Sequence, residues 1–401
     1  MRARKEIPAY SVHLDMIRGV AALTVFLTHI PELFFRLDFH KILAHAAGSA
    51  PRVTAATLHP HRPQIGHEAV VVFFVLSGFF VGGSSLRGMA EGLWTWKDYL
   101  LRRLTRLWVV LIPALCITWL LDSLGMRLFS GSASIYTGPP GQYEVVTHLA
   151  ANLTPTVLFG NLLFLQGILV PTFGTDMPLW SLSYEFWYYV AFPFLAIALA
   201  ARFPARHRWL SCGALAILLT CCGASISSYF LIWLMGVAVY QLPLRLRPWQ
   251  LRWVIPATSL LLLMTILVAV GRSWPLFASD VTIGAIFSTL LWLLLHCRQP
   301  APKTFYSTIA SGISNMSYTL YAVHLPILVF LNAYMMRSWN PWSLTPRSLC
   351  VTAGIFIFTF MVAYGIYHCF EANTDRVRHF LTRLLRLPHK PIVVAVSSEH
   401  A

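Results

Sequence analysis

The sequence predicts an all-α fold, a polytopic transmembrane helix bundle of about ten spans with both termini in the cytoplasm. Apolar residues make up 57% of the 401 and charged residues only 11%. Apolar runs repeatedly approach the roughly 20 residues that cross a hydrocarbon core about 30 Å thick. The 30 Lys and Arg fall in short clusters between those runs rather than in one patch, which argues against nucleic acid and for the positive-inside rule.

Taken in order, the runs give spans at 14–36, 66–86, 101–124, 178–201, 209–223, 228–243, 253–271, 278–297, 315–336 and 348–370. With the N-terminus inside, most of the 30 cations lie in inner segments. A further full span at 153–169 would reverse every later loop, so that stretch is expected to be half-embedded or interfacial. No small-residue cleavage site follows a short apolar core near Met1, and the first helix is expected to be retained. The seven Cys include no CxxC pair, and the loop histidines His40, His45, His59 and His61 lack carboxylate or Cys company, so neither disulfides nor a metal site is expected. The domain reading is one transmembrane unit, 1–375, followed by a basic cytoplasmic tail, 376–401.

The stretch from Asp15 to His29 carries ionisable residues where a plain anchor would carry none. Eleven steps of 100° return to within about 20° of the same direction, so Arg18 and His29 share a helix face, roughly 16 Å apart. A charge at bilayer depth costs at least about 2.5 kcal/mol, which turns Arg18 toward the bundle interior and a partner. Arg103 and Arg106, at i and i+3 on the third span, either anchor the inner interface or grip phosphates bidentately, with Arg18 as a third cation. Glu185 and His29, each counted about 10 Å below the outer surface, are expected to meet as an acid that orients a general base, unless Glu185 only neutralises a cation.

Supporting positions follow the same logic. Ser77, beside Gly78, is read as a close-packing residue, and Glu68, near the outer surface, is explained by solvation as readily as by function. Trp180 and Ser181 open the fourth span, Tyr321 and His324 lie on the ninth, and Glu371, which ends the tenth span at the inner face, is expected to pair with Arg18, Arg103 or Arg106.

Together these stretches resemble the acyltransferase-3 family of integral membrane acyltransferases. The resemblance rests on Leu14, Asp15, Arg18 and Gly19, the Arg-x10-His spacing to His29, Phe-Phe-Val-Leu-Ser-Gly from Phe73, Arg103 and Arg106, Trp-Ser-Leu-Ser-x-Glu at 180–185, Ser-Tyr-x-x-Tyr-x-x-His at 317–324, and Glu371. It covers Tyr10 to about Glu371. It departs from the family pattern at Met16, Ala69 and Val71, where Gly, Gly and Asp are frequent.

The resemblance implies transfer of an acyl group, usually acetyl, from cytoplasmic acyl-CoA as co-substrate to an acceptor hydroxyl. His29 would be catalytic, as base or acyl relay, and Arg18, Arg103 and Arg106 would serve the donor. The expected acceptor is a cell-envelope or exported saccharide, with a macrolide or other lipophilic glycoside as the alternative. The expected setting is the inner or plasma membrane, with the bilayer and envelope polysaccharide assembly proteins as partners and no permanently bound cofactor. A proton-coupled exporter and a noncatalytic assembly scaffold are the competing classes, since intramembrane Arg, His and Glu also line transport paths.

Overall fold

The computed structural model describes residues 8–35, 64–131, 134–137, 146, 148–244, 246–272, 274–302, 304–336 and 342–385. The four loop histidines, the first seven residues and the end of the tail lie outside them. Among the described residues there is no β-strand, and nine helices are long and apolar enough to cross a membrane. Helices suit hydrocarbon because they satisfy every backbone polar group within one segment.

The helices are α1 Ala9–Phe34, α2 Ile65–Ala90, α3 Trp96–Leu128, short α4 Leu149–Asn152 and α5 Pro155–Leu162, then α6 Trp180–Leu199, α7 Ala205–Gln241, α8 Pro248–Arg272 and α9 Leu276–Leu294. There follow α10 Phe305–Asn315, α11 Ser317–Met335, α12 Pro346–Cys369 and α13 Thr374–Leu384. Helices α2 and α11 are the most enclosed, and α8 and α12 the most peripheral. One end of the bundle gathers basic residues: Arg87 donates to Tyr240, Arg208 to the Ala198 carbonyl, and the start of α1 is tied to Cys297 and Gln299. We call this the basic end and its opposite the far end.

Nine long helices and ten expected spans are reconciled at Gly223. Its φ of 83° and ψ of 170° break α7, and this left-handed region favours glycine. Arg208 touches Ala198 near the end of α6, Ile226 accepts from Tyr188, and Trp233 lies 5.2 Å from Phe192. The two halves of α7 therefore run in opposite directions beside α6, as the expected spans 209–223 and 228–243 require.

The stretch 153–169 is half-embedded. Helix α5 is eight residues, about 12 Å, too short to cross. Near the far end Asp122 accepts from the Thr175 amide at 2.8 Å and its hydroxyl at 2.9 Å. Fourteen residues down α3, about 21 Å, Trp108 donates to the Leu162 carbonyl. The Phe164 carbonyl takes bonds from Ser183 and Trp187, which hold Phe164 at a φ of 59°. The segment thus enters and leaves by the same end.

Two helices were not foreseen. Helix α10 lies along α1 ahead of the ninth span: a Cβ at Gly19 would meet Ile313, and Ser314 donates to Asp15. Helix α13 runs across the domain boundary expected at 375, so that boundary falls inside one element.

Helices α2 and α7 cross backbone against backbone. A Cβ on Gly78 would sit 1.9 Å from the Trp233 carbonyl oxygen, and one on Gly236 1.9 Å from that of Val75. Here α2 loosens into a π-turn, Gly78–Gly82, which re-aims the side chains around it. Because the obstacle is backbone, Gly78→Ala should cost about 1–3 kcal/mol by forcing the helices apart. A lowered thermal unfolding midpoint in detergent is the expected result; an unchanged midpoint would contradict this packing.

Candidate functional site

The arginines chosen from sequence converge. Arg18 of α1 and Arg103 and Arg106 of α3 line one cavity of about 320 Å³. Ser77 and Phe80 of α2, Glu185 and Tyr189 of α6, and Tyr318 and Tyr321 of α11 complete the part that matters here. Arg103 and Arg106 share a face because they are one turn apart. Arg103 donates to Ser84 at 2.9 Å and its guanidinium lies over the Tyr99 and Tyr189 rings, while its Nε is buried without a hydrogen-bond partner among the described residues. Arg18 is 3.9 Å from Asp15 and within electrostatic range of Arg106, Glu185 and Glu371.

His29 stands nearer the far end. Its Nδ1 lies 3.4 Å from the Glu32 carboxylate, and its ring stacks on His324 at 5.3 Å and 28°. His324 is fully buried, and its Nδ1 donates to the Leu320 and Tyr321 carbonyls. That bond leaves the Nε2 lone pair of the neutral ring without a partner among the described residues. Tyr321 donates to the Pro178 carbonyl at 2.8 Å and pairs with Ser181 at 2.7 Å; Tyr321 and Ser181 line the far part of the cavity, whereas His29 is not among its lining residues. The His324–His29 stack lies next to Tyr321, whose ring is 6.2 Å from His324.

Several expectations are corrected. Glu185 does not meet His29. It accepts from Ser77 at 2.9 Å and from Tyr189, inside the arginine cavity. Thr28, beside His29, packs on Gly66, and Ser77 lies eleven residues further down α2, so the acid is about 16 Å deeper than the imidazole. Its depth was counted from Pro178 as though that residue lay at the surface. The re-entrant segment instead buries Thr175, Asp176 and Leu179 completely, and α6 begins within the bundle. Glu32, three residues from His29, takes the place assigned to Glu185.

Ser77 is polar machinery more than packing: besides donating to Glu185 it accepts from Trp233 at 3.1 Å, and Gly78 alone supplies the close approach. Glu68 is not solvated; it is 1% exposed and accepts from Ser279 at 3.0 Å. Glu371 makes no ion pair within 4 Å among the described residues. It caps α11, accepting from the Thr319 amide and hydroxyl, with Arg106 and Arg18 within electrostatic range.

Sequence reasoning missed the partner of His67. Asp280 is fully buried and accepts from His67 at 3.0 Å and from Tyr229, while the His67 ring stacks on Trp180 at 5.7 Å. The signal was available: Asp280 is a lone acid within an apolar run, and such residues mark sites by default.

Comparison with known proteins adds the following. A family model described as an acyltransferase domain matches residues 12–367. Acyltransferase MdmB of Streptomyces mycarofaciens is 29% identical over 208 residues, 52% of this chain and 44% of that protein. The alignment thus spans less than half the length of that relative. No solved structure gives a significant match.

The Tyr321 hydroxyl is the hinge of the cavity's far wall. Tyr321→Phe removes the donor to Pro178 and the acceptor for Ser181, at an expected cost of about 1–3 kcal/mol. Thermal unfolding of the purified variant should show the loss, and a midpoint equal to the parent's would deny the wall its proposed tie.

Proposed function

The chain belongs to the membrane acyltransferase family whose domain model spans residues 12–367, and from that premise we propose an acyl-CoA donor and a saccharide hydroxyl acceptor. On this reading the acyl group is acetyl, the donor enters from the cytoplasm at the basic end, and the acceptor is a cell-envelope or exported saccharide reaching the far end. The protein works as a multi-pass enzyme of the inner or plasma membrane, beside the proteins that assemble that saccharide.

One observation carries the reading: three guanidinium groups from two helices face a single cavity. Coenzyme A is a chain with phosphates at one end and a thioester at the other. Guanidinium forks match phosphate geometry, and charge-assisted bonds of this kind contribute about 1.5–3 kcal/mol each. The apolar wall of Phe73, Phe74 and Phe80 suits the pantetheine arm, which extends toward Ser181 and Tyr321. Asp15, Glu185 and Glu371 balance the three arginines until the phosphates arrive.

In the proposed reaction His29 accepts the proton of the acceptor hydroxyl, with Glu32 supporting the imidazolium. The acceptor oxygen bonds to the thioester carbonyl carbon, the carbon–sulfur bond breaks, and the imidazolium returns the proton to the thiolate. Acyl ester and free coenzyme A thiol result, with no net change in protons. His324 steadies the His29 ring by stacking.

Two variants separate the roles. His29→Ala should lower acyl transfer by about 10²-fold or more, the usual share of a general base, while thermal unfolding stays at the parental value. Unchanged turnover would remove His29 from the chemistry. Replacing Arg103 and Arg106 together with Gln should raise the KM for acyl-CoA by about tenfold or more and leave the KM for the acceptor in place. A defect confined to the acceptor would refute the donor assignment, and acceptor flux in proteoliposomes without acyl-CoA would favour the exporter instead.

A further inference from the structure

At the far end, the α2 and α9 helices press two acids together. Glu68 and Asp280 are 1% and 0% exposed, and each has one oxygen that finds no donor among the described residues: Oε2 of Glu68 and Oδ1 of Asp280. The other oxygens are taken, Glu68 by Ser279 and Asp280 by His67 and Tyr229. Ser279, the residue before Asp280, is the donor to Glu68, which sets the two buried carboxyl groups side by side. Neither has an Arg or Lys partner among the described residues.

Two carboxylates cannot hydrogen-bond unless one of them carries a proton, and like charges this close do not both ionise away from water. The surroundings supply no substitute. The titratable neighbours are His67 on α2, Tyr229 on α7 and, behind Tyr229, Tyr184 on α6 with ring centroids 5.9 Å apart; the α1 contact at this level is Thr28. Of the side chains bonded to the two acids, His67 is the most exposed, at 19% against 0% for Asp280. Trp180, stacked on the ring at 12°, holds it in that position.

We propose that Glu68 and Asp280 hold one proton between them, in a site that exchanges with the far face of the membrane through His67. The orphaned oxygens then become donor and acceptor of a single O–H···O bond, and the buried pair carries one negative charge, directed at His67 and Tyr229. Uptake is a proton moving along an existing hydrogen bond: His67 Nε2 gives its proton to Asp280 Oδ2 as the opposite ring nitrogen takes one from water, and release is the same path reversed. The site is separate from the arginine cavity, and the inference does not depend on the identity of donor or acceptor.

The consequence is a stability that falls as pH rises. In the unfolded chain both acids are ionised near neutral pH, whereas the native pair retains a proton, so folding takes up a proton and alkali opposes it. Glu68→Gln replaces the O–H donor by an amide N–H donor of nearly the same shape and removes that requirement.

Infrared difference spectroscopy of the full chain in nanodiscs is the test, with thermal unfolding measured in parallel. At neutral pH the parent should show the carbonyl stretch of a protonated carboxyl group that Glu68→Gln and Asp280→Asn both lack. The parental unfolding midpoint should drop with rising pH, and that of Glu68→Gln should change less over the same range. If Glu68→Gln does not fold, the Asp280→Asn spectrum decides alone. A stretch that survives both substitutions overturns the proposal. So does a parental midpoint restored at high pH by sodium but not by choline, which would assign the space to a metal cation instead.

Discussion

Guanidinium groups inside hydrocarbon must be paired or wet, and that demand shapes this bundle around Arg18. Asp15, one turn earlier on α1, is the nearest answer, and Ser314 of α10 fixes that carboxylate in turn. Glu371 and Glu185 close in from α12's end and from α6. Meeting the same demand for Arg103 brings Ser84 and two tyrosine rings to α3. The cavity is what remains between helices held apart by charged groups that cannot pack as leucines do.

The second determinant is the re-entrant segment. Its carbonyls at Leu162 and Phe164 are bonded by Trp108, Ser183 and Trp187, so irregular backbone survives at depth because protein side chains replace water. By occupying the far end beside α3 it starts α6 inside the bundle. Glu185 is thereby lowered from the level of His29 to that of the arginines. The acid is spent on Ser77, Tyr189 and the cationic cavity, and the imidazole is left with Glu32 and His324.

Periodicity revealed the crossings and the shared face of Arg18 and His29, because each depends on neighbours along one helix. The break at Gly223 was legible for the same reason. Depth across helices was not. It depends on where a loop stops being a loop, and nothing local to Pro178 announces that the chain before it folds back into the bundle. Pairing between distant spans was equally hidden: 213 residues separate His67 from Asp280, and each alone reads as an isolated polar residue. Glu32 was within reach of sequence reasoning, because it lies three residues from His29, one turn along the same helix.

The account stands on phosphate recognition by Arg18, Arg103 and Arg106. The most direct measurement is a cryo-electron microscopy map of the full chain in nanodiscs with coenzyme A. It should place phosphate density within about 4 Å of these guanidiniums, at charge-pairing range, and the thiol arm running along Phe73 and Phe74 toward Tyr321. Nucleotide density elsewhere, with the three arginines still bound only to protein, would contradict it.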